Sequence, residues 1–143
     1  MPQSSYEVVH ALLHQWASDP AGAMRTLVAP DVVYNLNVSR DALPLGGETS
    51  GWEAVNEILL GIRKLFDYLV YKPRILTVED NIVRARIELV LRHKPSGEIF
   101  TGQMRSVFTV RDGLIVRVEE YVDAPMVESF MRLVSGEGDA GSA

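Results

Sequence analysis

The segment Val116-Arg117-Val118-Glu119-Glu120-Tyr121-Val122 alternates apolar and polar residues with one break, and the break is an acid. Successive residues of a strand point to opposite faces, so Glu120 shares a face with Val116, Val118 and Val122. A carboxyl group among apolar side chains loses solvation in its charged form, and its pKa rises toward neutrality. Such a group can take up and return a proton at working pH, which is general acid/base chemistry. A bulge near the strand end would instead swing Glu120 to water or to an arginine. Tyr34 shares parity with Val32 and Leu36, so its ring belongs inside and its hydroxyl needs a partner. It is expected either to orient a substrate oxygen near Glu120 or to pack with a hydrogen bond at the rim. His10 and His14 stand at a spacing that can chelate a metal on a helix, but the sequence shows no third convergent ligand. No metal and no cofactor is therefore expected, and His14 alone could enter a pocket mouth as a proton shuttle.

These groups need a sheet and helices to hold them. Ser4 with Glu7 has the form of a capping box, followed by Val8, Val9, Leu12, Leu13 and Trp16 at helical spacing, which predicts a helix from about Ser5 to Ser18. Asp19 before Pro20 opens a second helix through Met24, Leu27 and Val28, and a strand is expected over residues 31–38. Residues 39–50 read as a long connection of the kind that forms lids or pocket rims. Ser50 with Glu53 suggests a second capping box, and Val55, Ile58, Leu59, Ile62, Leu65 and Phe66 form the apolar stripe of a third helix.

From Tyr68 the period changes to two, with turns at Glu79-Asp80-Asn81, Lys94-Pro95-Ser96-Gly97 and Arg111-Asp112-Gly113, which predicts four sequential antiparallel strands. Parity places Val83, Ala85, Ile87, Leu89 and Leu91 inward, and on the next strand Phe100, Gly102, Met104, Ser106 and Phe108. The substrate-binding wall is accordingly expected to include Leu36, Ile87, Leu89, Met104, Ser106, Val118 and Val122, with Val83 and Ala85 beside them. Trp16 and Trp52 are expected at the core or rim. Arg84, Arg86, Arg105 and Arg117 lie on the outer face beside Glu88 and Glu119, as cross-strand ion pairs would. Asp123 precedes Pro125 as the cap of a short last helix, and the Gly- and Ser-rich residues 135–143 read as a flexible tail.

A chain of 143 residues with 47% hydrophobic and 23% charged residues suits one globular domain with a true core. The net charge of -5 argues against nucleic acid, which is bound through basic stripes. With no cysteine there is no disulfide, thiolate site or cysteine nucleophile, and the composition is compatible with the cytoplasm, the expected location. No apolar run is long enough to span a membrane, and residues 1–5 have no signal-peptide pattern. Neither a glycine-rich phosphate loop nor a nucleophile elbow is present.

The order of helices, strand, long loop, third helix and meander ending in Val118-Glu119-Glu120-Tyr121-Val122-Asp123 resembles the nuclear transport factor 2-like superfamily, and within it the SnoaL-like branch. The resemblance covers about residues 5–134 as a single domain. It rests mainly on Ser50-Gly51-Trp52-Glu53-Ala54-Val55, on Pro95-Ser96-Gly97 and on Phe108-Thr109-Val110-Arg111-Asp112-Gly113-Leu114-Ile115. It implies an α+β fold in which a cone-shaped, curved antiparallel sheet packs against three N-terminal helices, with a short C-terminal helix. It also implies a helix-capped pocket and homodimers through the outer sheet face, here the face of Arg86, Arg105, Arg117 and Tyr121. In SnoaL-like polyketide cyclases an Asp at the Glu120 position is the acid/base, and a Gln and a His stand where this chain has Met104 and Ser106. The ketosteroid isomerases carry an Asp base near the end of the first strand, where Tyr34-Asn35-Leu36-Asn37 offers no acid. The limonene epoxide hydrolases set an arginine between two inward acids, at positions that fall on Ile87 and Leu89.

Two functions follow as expectations. One is a cofactor-independent acid/base enzyme of cyclase, isomerase or hydrolase type, acting on a hydrophobic carbonyl or epoxide compound through Glu120 and Tyr34. The other is a non-catalytic module of the same fold that binds an apolar ligand or dimerises. A salt-bridged Glu120 over a filled core would favour the module, and a roomy pocket converging on Glu120 and Tyr34 would favour the enzyme.

Overall fold

In the computed structural model, residues 4–135 other than 17, 42 and 44 are described, so most of the expected tail lies outside the described residues. The chain runs α1 (Ser5–Gln15), α2 (Pro20–Leu27), β1 (Val28–Leu36), β2 (Gly47–Ser50), α3 (Trp52–Leu65), β3 (Phe66–Glu79), β4 (Ile82–His93), β5 (Ile99–Arg111), β6 (Leu114–Tyr121) and α4 (Ala124–Ser135). The first two helices start where their caps dictate. Glu7 N–H donates to Ser4 Oγ at 3.1 Å while Ser4 N–H donates to Glu7 Oε1 at 3.4 Å, and Gly22 N–H donates to Asp19 Oδ1 at 3.0 Å. Val8, Val9 and Leu13 then press α1 onto the sheet. The start of α4 follows the same logic, with Met126 N–H donating to Asp123 Oδ1 at 3.2 Å.

The third helix departs from expectation. Gly51, at φ 89°, is its N-cap, and no side chain caps it. Ser50 is the last residue of a short strand, β2, which pairs with β1 from Val33↔Ser50 to Leu36↔Gly47. The expected long connection therefore ends in a strand, and sheet pairing places Ser50 one residue too early to cap the helix. Arg40 fixes the rest of that connection by donating from Nε to the Gly46 carbonyl at 2.9 Å and from Nη2 to the Glu48 carbonyl at 2.6 Å. Leu43 is buried beneath it.

The six strands form one sheet in the order β2-β1-β6-β5-β4-β3, antiparallel except where β1 runs parallel to β6. β4 and β5 pair from Ile82 to Arg92 with no shift in register, and Val83, Ala85, Ile87 and Leu89 are buried as parity predicts. Two other strands carry bulges. In β6 the register slips between Thr109 and Val110, leaving Val116 half-buried while Ile115 is completely buried. In β3 it slips at Leu69 and again at Leu76, and both leucines are exposed. The inner face of the curved sheet, the α1–α3 layer and, from the connection after β1, Val38, Leu43 and Leu45 enclose the core.

Candidate functional site

The bulge in β6 lies upstream of Glu120 and leaves its parity intact. Glu120 faces Leu36 on β1 and Ser106 on β5 in direct register. Tyr34 sits on β1 opposite Val118, one diagonal step away. From there its hydroxyl donates a short hydrogen bond to Glu120 Oε1. Ser106, almost wholly buried, donates from Oγ to Glu120 Oε2 at 3.1 Å. Both carboxylate oxygens are thus held, and among the described residues no cation pairs with either. Burial pushes the Glu120 carboxyl above the usual range, and the hydrogen bonds from Tyr34 and Ser106 offset part of that rise. Burial also lifts the Tyr34 phenol well above its ordinary value, and the adjacent Glu120 adds to the effect.

Glu120 lies on the wall of a cavity of about 190 Å³ between the sheet and the helices. Leu36, Ile87, Leu89, Met104, Val118 and Val122 line it from the sheet, and Trp16 lines it from the end of α1. Leu43 and Leu45 close one side, which makes the connection after β1 part of the wall. Val83 and Ala85 are buried in the core but are not among the residues that line the cavity. Ser106 likewise touches Glu120 and not the cavity.

Two of the residues singled out in the sequence lie elsewhere. His14 is exposed on α1, stacks on His10 with ring centroids 4.1 Å apart, and donates from Nδ1 to the His10 carbonyl at 2.8 Å. Trp52 donates from Nε1 to the Val28 carbonyl at 3.0 Å and packs α3 against β1, outside the cavity wall. Among the described residues no group of His, Cys, Asp or Glu is arranged to hold a metal ion.

The cavity has polar members that parity reasoning missed. Tyr68 and Tyr71, both on β3, line it together with Phe66, and Phe100 and Phe130 join them from β5 and α4. Their spacing of three puts the tyrosines on opposite faces of a regular strand. The bulge at Leu69 brings both inward, Tyr68 opposite Leu91 and Tyr71 opposite Leu89. Arg63 of α3 bridges this end of the cavity. Its guanidinium carbon lies 5.4 Å from the Trp16 ring and 5.8 Å from that of Tyr68, and its Nη2 donates to the Trp16 carbonyl at 3.0 Å. On the outer face Arg117 pairs with Glu119 and Glu48, and Arg84 with Glu79. Arg86 instead faces Arg74 on β3 and Arg105 on β5, and its buried Nε has no hydrogen-bond partner.

Residues 9–118 match the family model of the SnoaL-like domain. The chain belongs to the SnoaL-like domain family. Solved structures share the fold of this SnoaL-like domain at low sequence identity. A nuclear transport factor 2-like protein from Burkholderia thailandensis superposes with a TM-score of 0.78 at 20% identity, covering 90% of this chain and 98% of its own. A structure named as a candidate SnoaL-like polyketide cyclase from Mesorhizobium loti gives 0.71 at 18% identity, covering 83% of this chain and 99% of its own. One named as a candidate isomerase from Rhodopseudomonas palustris gives 0.75 at 14% identity, covering 91% and 98%. At these identities the likeness is one of fold. No curated protein sequence matches this chain significantly. Among the described residues of the SnoaL-like domain, no helix is long and apolar enough to cross a membrane.

Proposed function

We propose that this SnoaL-like domain is a cofactor-independent acid/base enzyme acting on a hydrophobic carbonyl or epoxide compound, with Glu120 as the group that moves the proton. The observation that carries this reading is a carboxyl on the wall of an apolar cavity, gripped at both oxygens by neutral hydroxyl donors and paired with no cation among the described residues. As a carboxylate, Glu120 takes a proton from a carbon next to a carbonyl. As a carboxylic acid, it returns that proton to another atom of the same molecule, so nothing is consumed. Dehydration by the apolar wall raises the basicity of the carboxylate, and bound substrate would displace the remaining water. The hydroxyl of Tyr34 is already given to Glu120, so its part in this reading is to position the carboxyl and tune it.

Similarity to structures named as a candidate cyclase and a candidate isomerase is compatible with this chemistry. A cavity that converges on Glu120 weighs against the non-catalytic module. The same reading includes a homodimer through the outer sheet face of Arg86, Arg105, Arg117 and Tyr121. The direct test is turnover of cyclisable, isomerisable and epoxide-bearing compounds by the native chain and by Glu120→Gln. Loss of at least about a hundredfold in kcat is expected from removing a general acid/base. Full turnover by Glu120→Gln would exclude the acid/base role.

A further inference from the structure

The hydroxyl of Tyr34 is committed to Glu120 and that of Ser106 lies outside the cavity wall, so neither meets a substrate oxygen. Tyr68 and Tyr71 differ from them. Both line the cavity, and the Tyr68 oxygen accepts a hydrogen bond from the Trp16 indole, which leaves its O–H, like that of Tyr71, with no acceptor among the described residues. Their rings lie 6.0 Å apart, and both come within the electrostatic reach of Glu120. A bulge is needed to turn both of them inward, and bulges concentrate where a side chain must be re-aimed at a site. Burial, and after it the charge of Glu120, pushes the Tyr68 phenol up to about 12 and that of Tyr71 higher still. Both therefore remain protonated donors through the whole working pH range. The cavity also sets a size. At about 190 Å³ it exceeds the roughly 150 Å³ that admits benzene into an apolar core, which leaves room for one or two fused rings.

We infer that Tyr68 and Tyr71 form a donor pair that receives the oxygen of a compact, one- or two-ring hydrophobic substrate whose reacting carbon faces Glu120. This deepens the acid/base reading and rests on it for the reaction. As negative charge develops on the substrate oxygen during proton removal, two fixed donors in a dry cavity hold it without rearrangement. Arg63, stacked beside Trp16 and Tyr68, reinforces the positive character of that end.

The test uses 2-naphthol and naphthalene as a matched pair that differs by one oxygen, titrated calorimetrically into the native chain. The native protein is expected to bind 2-naphthol about tenfold more tightly than naphthalene, the worth of one or two hydrogen bonds. Tyr68→Phe/Tyr71→Phe should lose that preference and keep its affinity for naphthalene, while Glu120→Gln should keep the preference. Equal binding of the two probes by the native chain, binding of neither, or survival of the preference in the double variant overturns the inference. The native comparison needs no variant, so a misfolded double variant does not blunt it. Loss of the preference in Glu120→Gln alone would assign the oxygen to Glu120, overturning the donor pair and leaving acid/base catalysis to be judged by turnover. A three-ring probe, 2-anthrol, should bind at least tenfold more weakly than 2-naphthol, and equal affinity would overturn the size limit.

Discussion

Glu120 makes the folded protein sensitive to alkali in a direction opposite to that of an ion-paired carboxylate. Its pKa in the folded chain lies above the ordinary value of 4.5. The unfolded chain therefore releases this proton first as pH rises, and folding is disfavoured from there upward. The contribution of Glu120 is intact below the ordinary value and is lost as pH passes through the raised one. Replacing it by the neutral amide in Glu120→Gln should leave stability near pH 4 little changed and raise it at pH 8. Urea denaturation of the two chains at both pH values checks this, and parallel pH profiles would contradict it. Tyr34→Phe removes one of the two donors that hold the pKa down, so the Glu120 carboxyl should titrate still higher, as carbon NMR of the side-chain carboxyl would report. A lower midpoint in that variant would mean that the hydrogen bond does not favour the charged form.

The elements that place these residues differ in how far they depend on local chemistry. α1 and α2 begin at side-chain caps within three residues of the groups they satisfy, and the sequence alone locates both. Asp19→Ala should cost about 1 kcal/mol, measured by thermal or chemical unfolding. At α3 the cap is a backbone position, Gly51 at φ 89° and ψ 151°, a region essentially confined to glycine. An added Cβ there would meet only the Pro30 carbonyl at 4.0 Å, so the penalty of Gly51→Ala is backbone strain, expected at about 1–3 kcal/mol in the same measurement. An unchanged midpoint would show that the loop relaxes. The Ser50 and Glu53 pattern misleads because pairing of β2 with β1, a non-local event, claims Ser50 for the sheet. Parity succeeds for the same reason that it fails. Along β4 and β5 the register is unbroken, so Ile87, Leu89 and Met104 could be placed on the cavity wall from sequence. Along β3 two extra residues interrupt it, and Tyr68 and Tyr71 escape any count by twos. The spacing of these two tyrosines around an exposed leucine is the signal that sequence reading could have used.

At the scale of the whole molecule, the outer sheet face combines Arg74, Arg86 and Arg105 in one cross-strand row with Tyr121, which is 41% exposed. Like charges directly opposed on neighbouring strands repel, so this row favours contact with carboxylates. In the proposed homodimer the acidic side chains of a second copy would supply them. Sedimentation at micromolar concentration should find a dimer, and Arg105→Glu should weaken it by at least about tenfold. A monomeric native chain would contradict the proposal. The edge of the sheet at which that row ends has a different character. β3 is an edge strand of fourteen residues, long enough to recruit a stray strand from another chain. Its two bulges and Pro73 break the row of amide and carbonyl groups that such a strand would need. The bulge that turns the tyrosines inward therefore also guards against aggregation. Deleting Leu69 would remove both benefits at once, turning a tyrosine out of the cavity and offering other chains a straighter edge on which amyloid-like pairing could begin.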